Sequence, residues 1–402
     1  MRDTAALSEA GLRRLHAAMA ERVAQGELPG LVTLVARGDD VRVDAFGAMA
    51  FEGEQPMRRD TIFRIASLTK PVIAAATMML VDDGALALDE PVDRLLPELA
   101  DRRVLRRIDG PLDDTVPASR PITIEDLLTF RLGHGLLTEP TFDPPFPIVQ
   151  RTHELQLVMG PPEPRTPHDP DRWIELFGTL PLMHQPGERW QYNTGTLVLG
   201  VLLARAAGQP LEALLRTRVF EPLGMRDTGF SLPGEHVGRL PSQYTLDFQT
   251  GSVEPQADTG PDVWTRPPAF PSGSAGLLST ADDYLAFARL LLSGGRHGDR
   301  RLLSERSVEL LTTNHLTPGQ IAGGGVLLTG GWGLGMGVTV APDDVSPEPG
   351  RYGWTGGYGT SWFNDPHRGL VAIALTQSAG FLFQGALAEF DRLAARAAEA
   401  EP

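Results

Sequence analysis

Residues 63–71 read Phe63-Arg64-Ile65-Ala66-Ser67-Leu68-Thr69-Lys70-Pro71. The apolar run Thr61–Ala66 ahead of Ser67 reads as a short strand. Behind Lys70, Pro71–Asp83 (PVIAAATMMLVDD) reads as a buried helix that stops at Gly84. Proline sits best in a first helical turn, so the helix is expected to begin at about Ser67. Side chains three apart share one helix face, with Cβ atoms about 5–6 Å apart. The Lys70 amine is therefore expected to reach the Ser67 hydroxyl. The positive end of the helix dipole favours an alkoxide or oxyanion there and disfavours an ammonium. These are the requirements of a serine nucleophile activated by a lysine base.

Composition strengthens this assignment. The chain holds 36 Lys plus Arg, and Lys70 is its single lysine. Arginine carries surface charge as well as lysine does, but it cannot act as a base in a protein. Lysine can, once burial or nearby charge lowers its pKa. The chain has 402 residues, long for one core, which predicts two lobes or one large unit with insertions. A formal net charge of −15 argues against nucleic acid and anionic membranes as partners. There is no cysteine, which removes disulfides and thiolate chemistry.

Working outward, Leu7, Leu12, Leu15, Met19 and Val23 mark an amphipathic first helix. It lacks the apolar run of a signal peptide, so a cytoplasmic enzyme is expected. Leu31–Arg37 and Val41–Gly47 read as strands joined by a Gly-Asp-Asp turn. Ile124–Phe130, Thr196–Ala207, Leu211–Phe220 and Ala281–Leu292 read as helices. Residues 138–188 are Pro-rich and read as irregular, either a lid or a surface excursion. Trp332–Val340, Tyr352–Trp354, Thr360–Asp365 and Leu370–Thr376 read as strands, and Phe383–Ala398 as a closing helix. The expected fold is α+β, an antiparallel sheet flanked by helices with an inserted, mostly helical lobe. Residues 1–66 and 320–402 would form the α/β domain and 67–319 the helical one, with the active site between them.

A Ser–Lys pair needs a group to pass protons to the leaving group. Tyr192, in PGERWQYNTG, either presents its phenol to a cleft or merely packs. His134, in RLGHGLL, either lines the site or is structural. The histidines show no metal-ligand spacing, so no metal is expected. The run Ser272-Gly273-Ser274-Ala275-Gly276 lacks the first glycine of a lipase elbow and reads as a turn beside the cleft.

Five stretches in order carry a resemblance: FRIASLTKP, Gly84–Val92, Pro186-Gly187 leading to Tyr192, Phe220–Thr228, and Ser272–Tyr284. Together they resemble the class C β-lactamase and penicillin-binding superfamily, and within it most the family VIII carboxylesterases. The resemblance covers about residues 8–395. It implies Ser67 as nucleophile, Lys70 and Tyr192 as coupled base and acid, and the backbone N–H groups of Ser67 and Gly357 as an oxyanion hole. Two departures matter. The usual Y-x-N is here Tyr192-Asn193-Thr194, so Asn193 either substitutes for the missing asparagine or points elsewhere. The usual K-T-G is replaced by Trp354-Thr355-Gly356-Gly357, similar to the esterase branch. Without that cation the normal partner of a penicillin carboxylate is gone. An aromatic wall suits an uncharged ester. Trp354, Gly356, Asn193 and His134 are therefore expected near the substrate. The expected activity is hydrolysis of small carboxylic esters without a cofactor. An amidase, D-peptidase or acyltransferase using the same acyl-enzyme is the alternative, and a non-enzymatic scaffold is disfavoured. Homo-oligomer formation is left open.

Overall fold

A computed structural model describes residues 6–137, 145–159, 166–256, 261–328 and 330–399. Its centre is one seven-stranded sheet, antiparallel at every pairing. The chain enters it through β1 (Gly30–Arg37) and β2 (Asp40–Gly47). A short strand outside the sheet, β3 (Phe63–Arg64), pairs with β4 (Leu278–Ser279). The chain returns to the sheet in β5 (Gly331–Trp332), β6 (Gly337–Val338), β7 (Tyr352–Gly356), β8 (Thr360–Asp365) and β9 (Leu370–Leu375). The strand order is β5-β6-β7-β8-β9-β1-β2.

This order explains the sequence patterns. The strand β1 lies between β9 and β2 and is covered on both faces, so LVTLVA is buried throughout and apolar except at Thr33. The strand β2 lies at the edge and alternates polar with apolar side chains. Register puts Val35 opposite both Arg42 and Ala372. The side chains of Val32, Leu34, Ala36, Val371, Ile373 and Leu375 join the large core shared with the helical part of the chain. Leu31, Val35, Leu370, Ala372 and Ala374 face the other way.

The helices that matter for the site are α1 (Glu9–Ala24), α2 (Thr69–Asp82), α3 (Ile124–Leu128), α4 (Pro147–Glu154), α5 (Pro170–Gly178), α6 (Thr194–Ala207), α7 (Ala281–Leu292), α8 (Gly380–Phe383) and α9 (Ala386–Ala397). The helices α1 and α9 pack on the outer sheet face through Leu15, Met19, Phe390 and Ala394. The helix α2 is buried from Thr69 to Leu80 and packs against α6, itself buried from Thr194 to Leu203. A helix apolar all round belongs in a core, and each such side chain contributes about 1.5–3 kcal/mol by burial. Among the described residues no single helix is long and apolar enough to cross a membrane.

Three expectations need correcting. Trp332–Val340 is two short strands, β5 and β6, joined by a tight turn in which Gly333 N–H donates to Met336 O. Gly335 at φ +81° lies against Ala74, where a Cβ would come within 2.6 Å of the alanine methyl. Phe383–Ala398 is broken at Gly385, whose φ of +91° ends α8 and starts α9. Residues 138–188 are not irregular throughout. They hold α4 and α5, the second opened by Asp169, whose carboxylate accepts from Arg172 N–H. Residues 138–144 and 160–165 of that segment lie outside the described residues.

Candidate active site

Several elements converge to place Ser67. The strand β3 is held on one side by β4 and on the other by Gln377. The Gln377 side chain accepts from Arg64 N–H (3.0 Å) and donates to Arg64 O (3.3 Å), doing the work of a neighbouring strand. Ile65 N–H donates to Leu277 O, and Ile65 O accepts from Thr360 Oγ1. Ala66 then takes a φ of +47°, a strained value for a residue with a Cβ. The chain turns sharply, and a 3₁₀ turn over Ala66–Leu68 runs straight into α2. Tyr284 Oη donates to Leu68 O, and Leu277 N–H to Thr69 Oγ1, pinning the helix start. Pro71 is the third residue of α2, where no intrahelical N–H is lost.

Ser67 keeps 9% of its surface exposed, while Lys70 and its whole turn are sealed. Lys70 Nζ lies 2.9 Å from Ser67 Oγ and donates to Ser274 O at 2.8 Å. It also sits 4.5 Å from the centre of the Tyr192 ring. Burial pushes the Lys70 amine well below its ordinary pKa. Tyr192 moves the other way. Burial pushes its phenol up to about 12, against opposing hydrogen bonds from Ser67 and Trp354. Burial thus favours the neutral amine at Lys70 and the protonated phenol at Tyr192, both beside the same serine hydroxyl.

Trp354, on β7, donates its indole N–H to Tyr192 Oη at 2.7 Å. That bond occupies an acceptor position on the phenol and leaves the phenolic proton free to point at Ser67. Phe130, Trp190, Trp332 and Trp354 surround Tyr192 with ring centres 4.6–6.4 Å apart. Replacing Trp354 by phenylalanine keeps most of this wall and removes only the donor. A single such bond contributes about 0.5–1.5 kcal/mol, so kcat on a phenyl ester is expected to fall about 2–10-fold with little change in thermal midpoint. Steady-state kinetics beside a melting curve checks this.

The remaining candidates are placed unevenly. A Cβ on Gly356 would lie 2.3 Å from Ile65 O and 3.1 Å from Ala66 Cβ, so only glycine lets β7 approach the Ser67 turn this closely. Gly357 follows directly, exposed, with open space around its Cα. Asn193 does not face the Lys70 amine. Its amide donates to Met159 O and its Oδ1 accepts from Ser274 Oγ. Thr194, in the position usually held by asparagine, lies 3.3 Å from His134 Nδ1 through its hydroxyl. His134 is 1% exposed and packs edge-on against Phe177, so it sits behind the site rather than lining it. Burial, with Arg102 nearby, pushes its pKa down to about 3 and keeps it neutral. Sequence reasoning did not single out Ser274 as a partner of Lys70, nor Trp332 and Phe130 as wall residues. The Ser-Gly-Ser-Ala-Gly run is the only signal for the first, and it reads as a turn beside the cleft without revealing the carbonyl that meets Lys70.

The Beta-lactamase family model matches residues 15–396. The chain belongs to the β-lactamase family. Like that family it carries a β-lactamase-like fold, and its relatives include serine hydrolases with esterase activity. Esterase EstB of Burkholderia gladioli is 31% identical over 389 residues, covering 91% of this chain and 90% of that one. Protein Rv1367c of Mycobacterium tuberculosis is 39% identical over 362 residues, covering 88% of this chain and 86% of that one. Among solved structures, EstCE1, described as a hydrolase with promiscuous acyltransferase activity, superposes with a TM-score of 0.78. It is 27% identical and covers 98% of this chain and 99% of its own. Within the β-lactamase family, then, this chain carries Ser67-Leu68-Thr69-Lys70 leading into α2 and Trp354-Thr355-Gly356 on β7.

Proposed function

We propose that this β-lactamase family member hydrolyses small, uncharged carboxylic esters through an acyl-enzyme on Ser67. The observation that carries the reading is the fully buried Lys70 amine 2.9 Å from Ser67 Oγ, where burial favours its neutral form. Ser67 attacks the ester carbonyl and its proton passes to Lys70. The oxyanion forms against the N–H groups of Ser67 and Gly357, donors of the kind that stabilise a tetrahedral intermediate by about 3–4 kcal/mol each. The intermediate collapses, the C–O bond to the alcohol breaks, and Tyr192 gives the alcohol its proton. The Lys70 ammonium returns a proton to Tyr192. Water then attacks the acyl carbon, again losing its proton to Lys70; the acyl C–O bond to Ser67 breaks, and the Lys70 ammonium returns that proton to Ser67 Oγ, releasing the acid and restoring the amine. The aromatic surround of Tyr192 favours an apolar acyl or aryl group.

A panel of p-nitrophenyl esters, anilides and β-lactams, followed by intact mass, tests the reading. A transient acyl adduct on Ser67 with esters is expected. Turnover of anilides or β-lactams in preference to esters would replace the reading. Similarity to EstCE1 supports a second outcome, acyl transfer, which added alcohol would reveal as a new ester.

The two pKa shifts fix the pH profile. As pH falls through the lowered Lys70 value, the amine takes a proton and kcat/KM drops. As pH rises, the rate holds until Tyr192 ionises near 12. A plateau running from below the usual lysine range to the stability limit of the protein is expected. A rate still climbing at pH values near those of a free lysine would contradict a neutral Lys70 in the resting enzyme.

A further inference from the structure

Ser274 sits in the turn Ser272–Gly276 and is 1% exposed. It touches Lys70 directly and, beside Tyr192, the next residue in the chain, Asn193. Its carbonyl accepts from Lys70 Nζ at 2.8 Å. Its hydroxyl donates to Asn193, with the backbone O at 2.8 Å and Oδ1 at 2.9 Å. Thr196 Oγ1 lies 2.7 Å from the same hydroxyl, closing the ring onto α6.

Asn193 is the residue immediately after Tyr192, and its backbone is unusual. Its φ of +88° and ψ of −48° lie near the γ-turn of positive φ, a rare and strained conformation for a residue with a Cβ. Such strain persists only where the surroundings over-determine it. Here the surroundings are the Ser274 hydroxyl on the backbone and side-chain oxygens, and Met159 O on the side-chain amide. The direction in which Tyr192 leaves this kink sets where its phenol meets Ser67. We propose that Ser274 is a positioning residue that locks two catalytic groups at once. Its hydroxyl holds the strained Asn193 kink and so aims Tyr192, while its carbonyl aims the Lys70 amine at Ser67. The missing asparagine of the second motif is thereby compensated. Asn193, one position earlier, acts on the Lys70 side of the site through Ser274 rather than directly.

This inference rests on the Ser67 acyl-enzyme reading, but it can be tested without an ester. A fluorophosphonate reports Ser67 activation directly, by the rate at which the serine becomes phosphonylated. Ser274→Ala is expected to slow labelling about 10–100-fold, the cost of small misplacements at a reacting centre. With esters the loss should fall on kcat, with KM unchanged within about twofold. The decisive variant adds Asn193→Gly to Ser274→Ala. Glycine adopts positive φ without strain, so the kink no longer needs its clamp and several-fold of the lost rate should return. A serine that only filled space would show no such rescue. Labelling of Ser274→Ala at the parent rate, or a double variant no faster than the single one, overturns the proposal. Rapid labelling of the parent without ester turnover would refute the esterase reading alone. Failure of the parent to label at all would refute both.

Discussion

Ser67→Ala is expected to lower kcat on any accepted ester by on the order of 10⁶-fold, the scale seen when the nucleophile of a cooperating set is removed. The groups around the serine have no alternative target. Lys70 Nζ makes its two hydrogen bonds to Ser67 Oγ and Ser274 O, and Tyr192 is bonded to Ser67 and to Trp354. Ser274 Oγ is turned toward Asn193 and Thr196, so it does not stand in for the lost hydroxyl. The substitution removes one oxygen from a site that still meets solvent, and the thermal midpoint should hold. Residual activity measured with p-nitrophenyl esters, together with intact mass, decides the matter. An acyl adduct persisting on the variant would move the nucleophile elsewhere.

Lys70→Arg is the second large effect, an expected loss of about 10²–10⁴-fold, the usual contribution of a general base. Arginine puts a permanent cation where the amine is favoured neutral, and it cannot release its proton to serve as the base. Its bulk in a sealed pocket invites the objection that the variant misfolds, so Lys70→Met is the companion. It should lose activity to the same degree while folding better. A buried amine with a lowered folded pKa binds fewer protons folded than unfolded. Native stability therefore falls as pH drops from the unfolded lysine value, about 10.4, down to the folded value, and changes no further below it. Methionine removes that penalty and should raise the thermal midpoint at neutral pH. An inactive but more stable Lys70→Met chain marks a residue kept for chemistry. Retained activity in either variant would rule out Lys70 as the base.

Sequence patterns revealed the parts of this molecule that depend on neighbours along the chain. Leu31–Arg37 and Leu370–Thr376 were legible because mostly apolar runs in short segments mean covered strands. Ala281–Leu292 was legible because Thr280 caps an amphipathic helix. Ser67 and Lys70 were legible because their contact spans a single helical turn. What failed depended on contacts distant in sequence, or on glycines with two meanings. Alternating glycine from Gly331 to Gly337 looks like one strand, yet the Gly335 fold against Ala74 makes it a hairpin. The helices α4 and α5 opened with proline, a proper start signal, but the density of prolines around them masked it. The bond from Trp354 to Tyr192 joins residues 162 positions apart, and that from Lys70 to Ser274 joins residues 204 apart. No local period encodes either. His134 shows the reverse error, where glycine neighbours suggested an open loop and the helices closed over it.

The solitary lysine has a practical consequence for anyone who wishes to watch this site at work. Isotopically labelled lysine supplied during expression enters the chain at one position only, and that position is the amine beside Ser67. Its nuclear resonance would appear alone, without assignment, and would follow the protonation of Lys70 through the acylation and release proposed for Ser67. Most hydrolases need a probe to be built in; this one already carries its own.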